Sequence, residues 1–269
     1  MPPKKTELMK DGEGKSTVSR RIKILESLKT HGQVNVNELS ESLGVTGVTI
    51  RNDLAQLEKK KVLIRARGGA IKIEQNFADQ DYPLSDKQKK HLLEKKEIGK
   101  RAAELIEENN TIIIDSGSTT YELARNLKKF NALTVITNAL NVATALAEYN
   151  HINVIVPGGM LKNNSLSLVG ILAERGFKDY FCDKLFLGVD GFDLDFGIST
   201  PNPEEAHLNQ IMIEISKEVI VVADSSKFQK RGFAFIAPLH KINTVVTDKG
   251  ILPENKAKLE SLGIKVIIA

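Results

Sequence analysis

The chain has 269 residues, of which 41% are hydrophobic and 27% are charged, a composition typical of a folded globular protein and not of a disordered one. Its single cysteine cannot close an intrachain disulfide, and no apolar run approaches the roughly 18 residues of a membrane-spanning helix. The polar residues 1–15 lack the apolar core of a secretory signal, so we expect a cytoplasmic protein with no membrane partner.

The net charge of +4 is distributed unevenly along the chain. Residues 1–73 contain 15 of the 38 Lys and Arg residues and 8 of the 34 Asp and Glu residues, a net charge of +7, whereas the remainder carries −3. A basic terminal module on a slightly acidic body is suited to a polyanion such as DNA. On charge alone, a solvated lysine-rich face explains the module equally well.

Helical periodicity occurs three times between residues 17 and 60. The first helix, which should stop at residues 31–32, carries an apolar stripe of Val18, Ile22, Leu25 and Leu28. Asn37 is a candidate N-cap for a short second helix that Gly44 ends, and Thr46 is the expected cap of a third. The short turn between the second and third helices is typical of a helix-turn-helix motif, whose second helix enters the major groove of DNA.

The third helix has one apolar and one polar face. We expect Ile50, Leu54 and Leu57 to be buried, because they share one side of the helix. Asn can bond adenine and Arg can bond guanine, while methyl groups can contact thymine. The candidate DNA contacts are therefore Val48, Thr49, Arg51, Asn52, Gln56 and Lys59. DNA would repel Asp53, which we expect to brace Arg51 or a backbone group.

Two short β-prone runs follow the third helix and flank Gly68 and Gly69. This pattern predicts a hairpin, with Arg65 and Arg67 near its tip, where they could contact phosphate or the minor groove. A hairpin at this position makes residues 17–73 a winged helix-turn-helix domain, preceded by a flexible basic tail at residues 1–16.

The next segment, residues 74–94, is predicted to be a linker and the start of a connecting helix. Residues 74–84 lose periodicity and include Pro83, whereas residues 85–88 have the form of a capping box. The helix that they open is predicted to continue to residue 108.

The remaining domain, residues 95–269, alternates β-prone runs with helical ones. This alternation predicts an α/β domain with a mostly parallel sheet and helices on both faces. Ligands of such sheets bind beyond the carboxyl ends of the strands, so we expect a binding site there. The β-prone runs are residues 111–114, 133–136, 152–156, 184–187, 219–222, 244–246 and 265–268.

The loop after the first of these runs is the strongest binding candidate. It leads into a helix predicted at residues 121–128, whose free N–H groups would suit a phosphate or a carboxylate, and it comprises Asp115, Ser116, Gly117, Ser118, Thr119 and Thr120. Lys227 is the one cation at a strand end and could neutralise an anionic ligand. The other candidates at strand ends are Asn138, Gly159 and Asp190, each of which could equally serve in a turn or a cap.

Residues 44–54, followed by Leu57, Glu58 and the Arg-Gly-Gly-Ala of residues 67–70, resemble the DeoR-type family of bacterial transcriptional repressors. The resemblance covers nearly all the chain after Thr17 and implies operator DNA as a partner, with the helix-turn-helix at residues 34–53. Most members carry Arg where this chain has Asn52, which we therefore expect to alter base preference.

The resemblance also has implications for the larger domain, because the family's C-terminal domain is similar to sugar-phosphate isomerases. It implies a phosphorylated sugar as effector, with the phosphate at residues 115–120 and Asp190 near the sugar. Residues 51–54, 185–190 and 197–200 more narrowly resemble members that regulate amino-sugar catabolism, which implies an amino-sugar phosphate. Because operators are usually symmetric, we expect a homo-oligomer, a dimer or a tetramer, with Phe233, Phe235 and Ile236 as interface candidates that could equally be core.

The competing interpretation is a working isomerase or deaminase. Its acid–base groups would be Asp190 with Glu204 or Glu205, supported by Asp193, Asp195 and His207. An enzyme has no evident need of a basic winged helix, so we expect a regulator that is not an enzyme and has no cofactor. The five histidines and Cys182 show no metal-ligand spacing, and Cys182 is expected to be a small buried residue.

Overall fold

The computed structural model describes residues 17–31, 33–59, 63–66, 68–72 and 81–269. Its internal contacts divide the chain into two compact units, residues 1–75 and 76–269. The expected tail at residues 1–16 and residues 74–80 of the expected linker lie outside the described residues. In the part of the chain that is described, no helix has both the length and the apolar character needed to cross a membrane.

The first unit is a three-helix domain with a small antiparallel sheet. Its elements are α1 (Thr17–His31), β1 (Gln33–Asn35), α2 (Val36–Leu43), α3 (Gly47–Lys59), β2 (Leu63–Ala66) and β3 (Gly69–Lys72). Strands β2 and β3 form the expected hairpin, and β1 pairs with β3 to complete the sheet. The prediction of a winged helix-turn-helix is therefore confirmed, with β1 as an additional strand.

The first unit differs from the sequence prediction in two details, the buried face of α1 and the cap of α2. In α1, Ile24 and Leu28 are buried, whereas Leu25 is only partly buried; the side chains of Val18 and Ile22 lie outside the described part. Asn35, not Asn37, caps α2, since its side chain accepts a hydrogen bond from the backbone N–H of Asn37.

The second unit contains a large sheet, two small sheets and helices on both faces of the large sheet. The large sheet comprises β4 (Thr111–Ile114), β5 (Leu133–Ile136), β6 (Ile152–Ile155), β9 (Cys182–Gly188), β12 (Ser216–Val222), β14 (Thr244–Thr247) and β15 (Lys265–Ile268). The small sheets are the hairpin of β7 (Met160–Lys162) and β8 (Ser167–Val169), and the three strands β10 (Gly191–Asp193), β11 (Gly197–Thr200) and β13 (Ala234–Ala237). The helices are α4 (Leu84–Lys89), α5 (Leu92–Ala103), α6 (Ser118–Ala124), α7 (Leu140–Leu146), α8 (Ile171–Lys178), α9 (Pro203–Glu214) and α10 (Pro253–Ser261), with short 3₁₀ turns at Leu127–Lys129, Ser225–Lys227 and Leu239–Lys241.

The large sheet is parallel throughout and has the strand order β15-β14-β12-β9-β4-β5-β6. All seven predicted strands are confirmed. Successive side chains point to opposite faces, so that Ile113 packs in one apolar cluster while Ile112 and Ile114 pack in the other. The chain runs outward from β4 to β6 and then returns to β9 on the other side of β4. The direction of winding therefore reverses between β4 and β9, where a parallel sheet opens a crevice for ligands.

The predicted helix at residues 85–108 is two helices. Its first part, α4, begins at Leu84 after Pro83 without a side-chain cap, so the expected capping box does not form. The helix is interrupted at His91, whose φ of 53° is left-handed. The second helix, α5, then ends at Ala103. Helix α5 packs closely on α6, because a Cβ on Gly99 would lie 2.6 Å from the backbone carbon of Glu122.

Candidate functional site

The turn between α2 and α3 is built from local hydrogen bonds. Gly44 ends α2 in the left-handed conformation (φ 62°) that was expected of it. The hydroxyl of Ser40 then donates to the carbonyl of Val45 at 2.6 Å. Thr46 caps α3 as predicted, since its side-chain oxygen accepts from the backbone N–H of Thr49 at 3.2 Å. These bonds set the position at which α3 begins.

Helix α3 presents the predicted polar face to solvent. Val48 is 62% exposed, Arg51, Asn52 and Gln56 are exposed, and Thr49 is half-buried. The opposite face is buried as predicted, with Ile50, Leu54 and Leu57 at 5% exposure or less. Arg65 is exposed on β2, and its backbone N–H donates to Glu58 Oε1. Arg67 and the side chain of Lys59 lie outside the described residues.

Asp53 has different partners from those expected. It is buried at 2% exposure and accepts hydrogen bonds from the guanidinium groups of Arg20 (2.5 Å) and Arg21 (2.8 Å), both on α1. Burial alone would raise the pKa of Asp53, but the two arginines outweigh that effect and hold its pKa below the usual value. Asp53 therefore anchors α3 to α1, and its partners are Arg20 and Arg21 instead of Arg51.

A second candidate site lies at the carboxyl ends of β4 and β9, where the winding of the sheet reverses. It is a cavity that opens to solvent, with an empty volume of about 580 Å³ that includes part of the open space at its mouth. The structure brings seven of the predicted effector residues to its walls: Asp115, Ser116, Gly117, Ser118, Thr119, Asp190 and Lys227. The walls also contain Glu205, which the sequence had singled out for the enzymatic alternative, and residues that were not predicted for the site: Tyr82, Leu84, Lys87, Ser165, Gly188, Val189, Thr200 and Asn209.

The loop after β4 is shorter than predicted, because α6 begins at Ser118 and not at residue 121. Ser118 and Thr119 thus belong to the first turn of the helix, where side chains and free backbone N–H groups face the same region. Thr120 is fully buried behind the wall, and its hydroxyl donates to the carbonyl of Gly117 at 3.1 Å. It supports the loop from behind and does not line the cavity.

Two other predicted residues also lie outside the cavity wall. Asn138 is 1% exposed and its side-chain nitrogen donates to the carbonyl of Leu168 at 3.3 Å. Gly159 follows β6, two strands away from β4, and packs against Val169 and Ala173. Because neighbouring strands lie about 4.8 Å apart, the end of β6 is too distant from the reversal point to contribute.

Asp190 lies between two lysines in the cavity. Its carboxylate oxygens contact Lys87 Nζ at 2.9 Å and Lys227 Nζ at 3.4 Å. Burial opposes ionisation of Asp190, but the charges and hydrogen bonds of both lysines hold its pKa below the usual value. The carboxylate remains charged, and both cations are available to an anion that enters the cavity.

Asp115 has the opposite electrostatic environment. Its side chain is buried, accepts from the backbone N–H of Gly188 at 3.3 Å, and lies 3.2 Å from the side-chain amide of Asn209, which donates to Asp115 Oδ1 once the amide oxygen and nitrogen are interchanged. Loss of solvation and the negative charge of Glu205 raise the pKa of Asp115 well above its usual value. The cavity therefore contains one carboxyl group that favours the neutral form beside a charged carboxylate at Asp190.

The raised pKa of Asp115 predicts a pH effect on stability. Protonation of Asp115 stabilises the folded state, and this contribution is lost as pH rises through the folded-state pKa. We therefore expect Asp115→Asn to lose less stability than the wild type as pH rises above the unfolded-state pKa of about 3.9. Urea unfolding at increasing pH measures the difference. The exposed Asp179→Asn is the control, and the same pH slope in Asp115→Asn and wild type would contradict the prediction.

The side chains of the alternative enzymatic interpretation are only partly brought together, since Asp190 and Glu205 line the same cavity and the others lie elsewhere. Glu205 is buried in the cavity wall, whereas Glu204 is exposed on the outside of α9. Asp193 pairs with Arg231, and Asp195 pairs with Lys258. His207 is exposed and its ring nitrogen lies 3.5 Å from Glu174. Within the described ranges, no three His, Cys, Asp or Glu side chains are grouped to hold a metal ion.

Cys182 is buried at the start of β9 in the apolar core, as predicted. Burial raises the pKa of its thiol to about 11, with a smaller contribution from the charge of Asp183. A thiol with this pKa is protonated at neutral pH and is not an activated nucleophile.

Comparison with known proteins covers both units. Residues 20–76 match the model of a DeoR-like helix-turn-helix domain, and residues 90–249 match that of a DeoR C-terminal sensor domain. The chain is 40% identical over 252 residues to an aga operon transcriptional repressor of Escherichia coli O157:H7, covering 94% of each protein. It is 38% identical over 247 residues to the HTH-type transcriptional regulator YulB of Bacillus subtilis (strain 168), covering 92% of this chain and 95% of that one. Among solved structures, a ribose 5-phosphate isomerase from Methanocaldococcus jannaschii matches with a TM-score of 0.37 and 17% identity, covering 50% of this chain and 53% of that one.

Proposed function

The chain belongs to the DeoR family of transcriptional regulators, and from that premise we propose that it represses a carbohydrate operon under the control of a phosphorylated sugar. The proposal rests on one observation: the same chain has an exposed polar face on α3 in its first unit and a cavity lined by lysine and acidic side chains in its second unit. DNA is negatively charged and sugar phosphates combine an anion with hydroxyl groups, so each site suits its proposed ligand. We place this activity in the cytoplasm, where a regulator of this kind has access to its operator.

Arg51 is proposed to read a base through its exposed guanidinium group. Loss of one such contact costs about 1–3 kcal/mol, so Arg51→Ala is expected to weaken operator binding by roughly 5- to 150-fold. A gel shift on the promoter of the protein's own gene measures the effect. Arg175→Ala removes the same charge from an exposed position on α8 and is the matched control. Equal affinities for Arg51→Ala and Arg175→Ala would refute the assignment of α3 as the recognition helix.

Asn52 is proposed to set base preference, because its exposed amide can pair with the edge of adenine. Asn52→Arg is expected to change the ranking of operator variants, with a gain at positions where guanine replaces adenine. Competition binding with a set of single-base operator variants measures the ranking. An unchanged order of affinities would show that Asn52 does not read a base.

The effector is proposed to be a sugar phosphate. Its phosphate would lie near residues 116–119 and the lysines Lys87 and Lys227, and the hydroxyl groups of the sugar would face Asp190. The similarity to an aga operon repressor favours an amino-sugar phosphate. A thermal-shift screen of fructose, glucosamine and galactosamine phosphates tests this proposal, followed by a gel shift with the best compound. Absence of stabilisation by every sugar phosphate would remove the support for this class of effector.

We propose that the regulator acts as a homodimer or tetramer, to match a symmetric operator. Phe233 is 75% exposed and Phe235 is 51% exposed, so both remain candidates for an interface. Ile236 is 2% exposed and packs in the core, so it is not available for one.

Binding, and not catalysis, is proposed for the cavity. A general base must take a proton from its substrate, and the pKa of Asp190, which the two lysines hold below its usual value, makes this carboxylate a weak base. Incubation with the same sugar phosphates tests the alternative directly. Turnover that exceeds that of a Glu205→Ala variant would favour an enzyme; Glu204 is unsuited to this comparison, because it lies outside the cavity wall.

A further inference from the structure

One wall of the cavity is formed by residues 81–90, which we call the pocket strap. Tyr82, Leu84 and Lys87 of the strap all line the cavity, and Leu84 is 5% exposed. In the sequence, the strap begins nine residues after β3, the last strand of the DNA-binding unit. The same short segment is therefore part of the sensor cavity and continuous with the chain that leads to the DNA-binding unit.

The first end of the strap is fixed to the end of β7 and to the loop that follows it. The carboxylate of Asp81 contacts Lys162 Nζ at 2.5 Å, and the backbone carbonyl of Asp81 accepts from the side chain of Asn164 at 3.2 Å. The backbone N–H of Leu84 also donates to the carbonyl of Asn164 at 2.7 Å. Lys162 also contacts Glu205 of the cavity wall at 3.4 Å, so this end of the strap is tied to that wall through a single lysine.

The second end is fixed by a buried lysine of α5. Lys95 is 3% exposed, and its Nζ donates to the carbonyls of Lys87 and Lys90 at 2.5 Å each. These two carbonyls are at the end of α4, where helical partners are missing. Helix α5 itself is packed on α6, so the break at His91 separates the short α4 from a rigid support.

Lys87 lies between these two fixed ends of the strap. Its ion pair with Asp190 is a polar contact that the strap makes inside the cavity. Its groups are 103 residues apart in sequence and only 20% and 17% exposed. Asp190 has a second cation in Lys227, so it remains paired when Lys87 moves to another anion. Asp190 therefore keeps one cationic partner when Lys87 exchanges partners.

We infer that Lys87 is an effector contact, and that transfer of its ion pair from Asp190 to the anionic group of the ligand tightens the pocket strap. The inference rests on the proposed binding of a sugar phosphate in this cavity. A phosphate carries more negative charge than a carboxylate and accepts several hydrogen bonds, so it competes well for an ammonium group. A ligand shifts a conformational equilibrium only through differential contacts, and Lys87 supplies such a contact. Occupancy of the cavity thereby changes the segment that continues into the DNA-binding unit.

Hydrogen exchange of the full-length protein tests the inference, with galactosamine 6-phosphate, glucosamine 6-phosphate and inorganic phosphate as probes. Peptides covering residues 115–120 report binding, and peptides covering residues 81–95 report the strap. We expect a sugar phosphate to slow exchange in both regions in the wild type. Slower exchange at residues 115–120 without any change in the strap would overturn the inference and leave the proposed effector site intact. No change in either region with any probe would overturn both.

Two lysine variants separate the role of Lys87 from a general charge effect. Lys87→Gln is expected to bind the sugar phosphate about tenfold more weakly, as for loss of one charged hydrogen bond. At saturating probe it should protect residues 115–120 while the strap response and the change in operator affinity are lost. Lys89→Gln, on the same helix but with an 80% exposed side chain, should behave as the wild type. A full strap and operator response in Lys87→Gln would overturn the inference.

Discussion

Asp53→Ala is expected to abolish operator binding by unfolding the DNA-binding unit. The substitution leaves the guanidinium groups of Arg20 and Arg21 without their carboxylate in a site where Asp53 is 2% exposed. Removal of one partner of a buried ion pair costs about 3–5 kcal/mol. A domain of fewer than about 80 residues is rarely stabilised by more than that amount. The loss is therefore comparable with the whole stability of the unit.

Gel shifts and far-ultraviolet circular dichroism measure this result. Glu41→Ala, at an exposed position on α2, is the control and should bind DNA normally. The sensor unit should keep its response to sugar phosphate in Asp53→Ala, because its core is separate. Wild-type operator affinity in Asp53→Ala would show that the ion pairs do not support the recognition helix.

The same contacts predict sensitivity to acid. The folded-state pKa of Asp53 lies below its unfolded value, so its stabilisation is present above the unfolded pKa of about 3.9 and is lost as pH falls through the folded value. The DNA-binding unit should therefore lose this part of its stability only in strong acid, and operator binding near neutral pH should not depend on the ionisation of Asp53.

Asp190→Ala is expected to have the largest effect in the sensor unit. It leaves the ammonium groups of Lys87 and Lys227 close together without an intervening carboxylate, although they are only 20% and 23% exposed. We expect the free energy of unfolding to fall by about 2–4 kcal/mol, close to the cost of breaking a buried pair. Sugar phosphates should also lose at least tenfold in affinity relative to inorganic phosphate, because the acceptor for their hydroxyl groups is gone.

Urea unfolding and isothermal titration measure these two effects. Asp195→Ala is the matched control, since Asp195 is 72% exposed and its partner Lys258 lies on the surface. An unchanged preference for sugar phosphate over inorganic phosphate in Asp190→Ala would show that Asp190 does not contact the sugar.

Much of the fold could be predicted because its elements have strong local patterns. The seven strands of the large sheet are short β-branched runs separated by helical segments, and all seven form. The small antiparallel strands were missed because they have only three or four residues, and β13 in addition pairs over a long separation, as in the register of Ser199 with Phe235. The break at His91 was also missed, since the charged residues around it are compatible with one continuous helix.

The candidate sites could be predicted to different extents. The exposed face of α3 follows from helical periodicity alone, because burial of one face determines the exposure of the other. The contribution of Lys87 could not be inferred, since it lies in a segment that resembles a linker and its partner Asp190 is 103 residues away. Likewise, nothing in the spacing of Asp53 identifies Arg20 and Arg21 as its partners.

The sequence by itself determined the family, the two-domain organisation and the exposed face of α3, and it predicted the binding loop at residues 115–120, because each depends on patterns within one segment of the chain. Only the tertiary structure decided which strand ends form the cavity. The order of strands places the reversal between β4 and β9, which brings Asp115 and Asp190 together and leaves Gly159 outside. Strand order and ion pairing depend on residues far apart in the chain, and the distance between such residues is set only when the whole domain packs.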